Sequence, residues 1–104
     1  MGIEWLSPWL PLTDVKRQRG LEAELRREVL EGHWLYTAAV TCIAVRRDQD
    51  DVLYALDDGR VALVHLHWMT PASPDGLPDI AIYPSLSAWE KQSMKPLHAE
   101  NDWD

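Results

Sequence analysis

The pair Asp58-Gly59 lies between two apolar runs, VLYALD (52–57) and RVALVHLHW (60–68), and constrains this chain more than any other feature. Asp-Gly between such runs is one of the strongest local signals for a β-hairpin, because the glycine takes the positive φ that the turn needs. A two-residue turn would set Asp57 opposite Arg60 and Leu56 opposite Val61, and opposed residues share a face. One face would then collect Leu53, Ala55, Ala62, Val64, Leu66 and Trp68, and is expected to meet the main core. The other would collect Val52, Tyr54, Leu56, Val61, Leu63, His65 and His67. Its turn end is too apolar to stand in water. Tyr54, Leu56, Val61 and Leu63 therefore form a candidate homodimer face, self-complementary about a two-fold axis.

The flanking segments extend the hairpin. YTAAVTCIAVR (36–46) is rich in small and β-branched residues and reads as a strand, apolar on both faces, so its core-facing side stays open. Residues 14–31 read as a helix capped by Thr13 or Asp14. Leu21, Leu25 and Val29 make one stripe, and Glu22–Arg26 form a solvent-side i,i+4 pair. Gly20 weakens the first half, and Gly32 is placed to end the helix. Residues 1–12 hold Trp5 and Trp9 around Pro8 and Pro11 and predict an irregular segment. MTPASPDGLPD (69–79) predicts a loop. IAIY (80–83) can add a fourth, edge strand before Pro84. SLSAWEKQ opens a second helix, with Ser87 and Glu90 spaced as a capping box and Leu86 and Trp89 facing the sheet. Residues 97–104 predict a frayed acidic tail. The expected fold is α+β: an N-terminal helix, a three-stranded antiparallel meander with the optional fourth strand, and a C-terminal helix, all within one domain spanning 1–104.

Charge limits the partners. Residues 1–47 carry seven Lys/Arg against six Asp/Glu, and residues 48–104 carry three against eleven, giving a net charge of −7. Such a chain is repelled by phosphate backbones, so no nucleic acid is expected. A protein partner, basic in character, fits better. Exposed candidates for that contact are Trp5, Trp9, Asp48, Asp50 and Asp51. No apolar run is long enough to span a membrane, and the start of the chain lacks the pattern of a leader. The single cysteine, Cys42, excludes an internal disulfide and a cysteine-built zinc site. A cytoplasmic protein is expected.

His65 and His67 alternate with Val64, Leu66 and Trp68 and so share a face. His-x-His on a strand sets two imidazoles side by side, as some metal sites do. With Asp50 placed opposite His67 by the two-residue turn, His65, His67 and Asp50 form an alternative metal set. A cross-strand polar pair at the rim accounts for the same residues. His33 lies at the wrong end of the sheet, roughly eight residues or 25 Å away, and His98 cannot be placed. Asp48, Asp50 and Asp51 lack the ligand series and glycine of a calcium loop. No phosphate loop, nucleophile elbow or metalloprotease helix occurs. No cofactor is expected.

GHWLYTAAVTCIAVRRDQDDVLYALDDGRVALVHLHW, followed by SLSAWEKQSMKP, resembles a set of small bacterial proteins of uncharacterised role. The likeness covers about residues 21–96. It rests on Gly32-His33 after the helix, Asp50-Asp51 before the second strand and His65-Leu66-x-Trp68 ending the third. It implies a compact bacterial cytoplasmic domain and carries no activity. The pattern has threonine where this chain has His67, which weakens the metal reading. The expected function is a small, acidic, non-enzymatic protein-interaction module, such as an immunity protein, an inhibitor or an accessory subunit. The alternative is a small-ligand binder, metal protein or enzyme using the His65/His67/Asp50 end.

Overall fold

A computed structural model describes residues 3–29, 33–66 and 79–100. The element order is β1 (Trp9–Pro11), α1 (Val15–Glu28), a 3-10 turn (Trp34–Tyr36), β2 (Val40–Arg46), β3 (Asp51–Leu56), β4 (Val61–His65), β5 (Asp79–Tyr83), α2 (Leu86–Trp89), a π-helical stretch (Glu90–Met94) and α3 (Lys95–Glu100). The strands form one antiparallel sheet in the order β1-β2-β3-β4-β5. The α+β class holds, and the edge strand at 80–83 is present as β5. The sheet has a further strand at its other edge, inside the segment expected to be irregular. Prolines are tolerated on an edge strand, where their missing N–H faces outward, and that is where Pro11 sits.

The hairpin is a three-residue turn, not a two-residue one. Leu56 N donates to Arg60 O at 2.9 Å and Gly59 N to Leu56 O at 3.1 Å, with Gly59 at φ 97°. This is the left-handed glycine that closes a three-residue loop. Ala55 therefore opposes Val61, Tyr54 opposes Ala62, Val52 opposes Val64 and Asp51 opposes His65. The slip of one residue exchanges the faces of β3 relative to β4. Leu53 does not share a face with Val64 and Leu66. Likewise Tyr54, Leu56, Val61 and Leu63 do not form one surface: the first two pack in one core and the last two in the other.

Both faces are covered. On one, the α1 stripe of Leu21, Leu25 and Val29 packs on Cys42, Val45, Val52, Tyr54, Leu56, Ala62, Val64 and Leu66. On the other, Trp89 and Met94 from the C-terminal helices pack with Trp9 on Ala44, Leu53 and Val61. Trp9 meets Trp89 edge-on, with centroids 5.1 Å apart and planes at 86°, a favoured aromatic geometry. β2 serves both cores because its register shifts between Cys42 and Ala44. A bulge of this kind inserts one residue and reverses the alternation, so Cys42 and Val45 face α1 while Ala44 faces Trp89.

Polar side chains of α1 stitch it to β2 beside the bulge. Glu22 Oε2 accepts from Cys42 N at 2.9 Å, and Gln18 Nε2 donates to Cys42 O and Leu12 O, each at 2.9 Å. Arg26 donates to Ala38 O at 3.3 Å. Glu22 and Arg26 thus bond to the sheet side, not to each other in solvent. Asp14 caps α1 as expected, accepting from Lys16 N at 3.0 Å. Burial, then the adjacent Glu28, raises the Glu24 carboxyl above its ordinary range, with Arg27 opposing them.

At the C-terminal helix the cap is Ser85, which accepts from Ala88 N at 3.0 Å, and not Ser87. Helix continues to Glu100, into the expected tail, and His98 Nδ1 lies 2.8 Å from Ser7 O. The π-helical stretch ends two residues before Pro96, whose ring would press on the carbonyl four residues back in an unbroken α-helix. Gly32 lies outside the described residues.

Two glycine substitutions with open space around them should move stability in opposite directions. Gly59→Ala puts a side chain at positive φ and should cost about 1–2 kcal/mol. Gly20→Ala, within α1, should gain about 0.5–1 kcal/mol. Urea denaturation of both variants reads the difference, and a Gly59→Ala variant as stable as the wild type would contradict the assigned turn.

Candidate functional site

The polar end of the second face is organised by the corrected register. Asp51 opposes His65, and His65 opposes Asp79. Arg46, at the end of β2, lies beside Asp51. Four polar side chains thus cross β2, β3, β4 and β5 in one row, which alternates in sign when His65 is protonated. Opposite charges on opposed residues are a stabilising cross-strand pairing.

Asp51 is the centre of this row. Its Oδ1 is 2.5 Å from His65 Nδ1, and its Oδ2 accepts from Arg46 at 3.3 Å. Arg46 also donates to both oxygens of Asp48, at 3.0 and 2.9 Å. The guanidinium hydrogen bonds hold the Asp48 carboxyl below the ordinary carboxylate range. His65 is shifted upward. The Asp51 hydrogen bond is the main cause, desolvation opposes it, and the charges of Asp51, Asp79 and Asp50 add to it. The imidazole is 42% exposed and lines an open groove of about 450 Å³ with Gln49, Asp51, Leu63, Asp79 and Ala81.

A carboxylate on Nδ1 fixes the tautomer and orientation of an imidazole. That is half of a general-base arrangement. The described lining of the groove has no hydroxyl or thiol that such a base could activate. No group of three or more His, Cys, Asp or Glu side chains among the described residues is placed to hold a metal ion. The expected set of His65, His67 and Asp50 is not assembled as drawn. Asp51, and not Val52, stands opposite His65, the Asp50 carbonyl accepts from Leu66 N at 3.0 Å, and His67 lies outside the described residues. Cys42 is fully buried, and its thiol is pushed up to about 12 by desolvation and then by Glu22, which makes it a core residue.

The expected partner-binding residues separate. Trp9 is 2% exposed and belongs to the core. Trp5 is half-buried and packs on Trp89, with centroids 5.8 Å apart. Asp48 and Asp51 are engaged by Arg46, while Asp50 is exposed. Sequence reasoning missed Arg46 and Asp79 because the alternation of sign is visible only in the true register. It also missed Trp34, a half-exposed ring that carries Arg60 4.9 Å above its centroid. No helix among the described residues is long and apolar enough to cross a membrane. Comparison of the chain with protein-family models, with curated proteins and with solved structures gives no match.

The row makes a definite pH statement. A histidine whose folded pKa is raised adds stability that is fully present below its unfolded value, near 6.5, and lost as pH rises through the folded value. Asp51→Asn removes the main cause. NMR titration of the His65 ring should show its pKa falling toward the ordinary value in that variant, and the wild type should lose more stability than the variant as pH rises from about 6 to 8. An unchanged ring titration would show that Asp51 does not hold His65.

Proposed function

We propose that this protein is a small non-enzymatic protein-interaction module that receives an extended segment along the outer edge of β5. The observation that carries this reading is the contrast between the covered faces and an edge that no described residue pairs with. Helices and the N-terminal segment cover most of both faces of the sheet, leaving the groove beside His65 open. Among the described residues nothing pairs with the far side of β5, the last strand in the order.

A strand edge presents unpaired N–H and C=O groups, and strand addition is a general mode of peptide recognition. The two edges of this sheet differ. β1 has three residues and ends in Pro11, a residue that blunts an edge. β5 has five, DIAIY, with no proline or lysine. Ile82 is 37% exposed, and Ala81 is exposed beside it. The acidic loop is a weaker contact than its composition suggests, because Arg46 already engages Asp48 and Asp51.

A second reading rests on the Asp51–His65 pair and the groove beside it. An oriented imidazole in an open groove can hold a small polar ligand. The groove adjoins β5, so one segment on that edge would also close its open side.

Co-purification tests the main reading. A tagged chain should retain untagged chains or proteins of its native host. Ile82→Lys should abolish retention, since a charge on an edge opposes strand pairing, and Asp50→Ala should keep it. Retention lost with Asp50→Ala and kept with Ile82→Lys would move the contact to the loop and defeat the strand-addition reading.

A further inference from the structure

We propose that the segment received by β5 is β5 of a second copy, so that two chains join into one continuous ten-stranded antiparallel sheet; this rests on the strand-addition reading above. A two-fold axis normal to the sheet keeps like faces together, as an isologous contact requires. Centred on Ala81, it is the one register that pairs all five residues of DIAIY. Ala81 then meets the partner's Ala81, Ile80 meets the partner's Ile82, and Asp79 meets the partner's Tyr83.

Each pairing is chemically suited. Ile80 and Ile82 oppose Val64 and Ala62 on β4, so they lie on the α1 face. Ile80 is only partly buried, and Ile82 is one of the few exposed large apolar residues described. Two Ile–Ile pairs would extend that core across the seam. Charge fits as well. Asp79 is the one charged residue of β5, and the antiparallel register sends the two copies of it to opposite ends, so the acidic groups never face each other. Each instead receives a phenol. Asp79 also lines the groove with Asp51 and His65, so the partner's Tyr83 completes the open rim of that groove.

An edge of this length buries less than a standard stable interface of about 1,200–2,000 Å². The association should therefore be reversible, with a dissociation constant on the order of 10–100 µM.

The test is site-directed disulfide formation. Directly opposed antiparallel residues have Cα atoms about 4.5–5.5 Å apart, within the span a disulfide bridges. Cys42 is fully buried and does not compete. Ala81→Cys should oxidise to a covalent dimer with native circular dichroism. Ile80→Cys and Ile82→Cys should each cross-link poorly alone and efficiently when mixed. Sedimentation of the wild type should show the reversible dimer, and Ile82→Lys should weaken it at least tenfold. Failure of Ala81→Cys to cross-link, with a monomer at roughly 500 µM, overturns self-pairing. Hydrogen exchange on that monomer then separates the two claims. Rapid exchange of the edge amides of β5 leaves strand addition by a different chain standing. Full protection of β5 means that the chain closes its own edge, and overturns both.

Discussion

The left-handed Gly59 governs the rest of the structure. It closes a three-residue turn, and the turn sets which side chains of β3 and β4 share a face. With that register, Val52, Tyr54 and Leu56 join Ala62, Val64 and Leu66 under α1, while Leu53 joins Val61 beneath Trp89. Each group is apolar and matched to a covering helix. The alternative register would mix them, placing Tyr54 with the C-terminal helices. Tyr54 is fully buried, and its hydroxyl donates to Leu21 O of α1 at 2.7 Å. That bond exists only if Tyr54 faces α1, so the turn and the helix specify the same register.

Much of this fold was legible. Leu21, Leu25 and Val29 announce their buried stripe by spacing, Asp14 announces its cap, and Leu86 and Trp89 point to the sheet as their positions imply. The hairpin was legible in existence but not in register, because Asp-Gly suits a two-residue turn and a three-residue turn alike. That single ambiguity propagated: it regrouped the faces, placed Val52 opposite His65 where Asp51 sits, and hid the polar row. The bulge near Ile43 was invisible for a related reason. VTCIAV is apolar throughout, so no polar residue marks where the alternation reverses. β1 was hidden by its prolines, which argue against a strand until its edge position is known.

The polar row shows how one set of residues can serve two ends. Across the sheet, Arg46 and His65 both engage Asp51, which ties β2, β3 and β4 together where the apolar cores run out, and Asp79 of β5 stands opposite His65. The same ties remove Asp48 and Asp51 from the pool of free acidic groups. An acidic loop read from composition is thus a locally compensated loop in space. The net charge of −7 then weighs less at this end of the molecule than the loop sequence alone suggests.

An antiparallel sheet with covered faces still has two edges, and this chain treats them differently. β1 is short, ends in proline, and leads directly into the N-cap of α1. β5 is longer and alternates Ile80 and Ile82 on one face with Asp79, Ala81 and Tyr83 on the other, which is the pattern of an inner strand rather than of an edge. On β5 Ile82 is 37% exposed. In a strand that continues into another chain, the isoleucine becomes interior once the sheet is extended. Both edges carry an exposed large apolar side chain, Leu10 on β1 and Ile82 on β5, so length and the absence of proline are what distinguish β5.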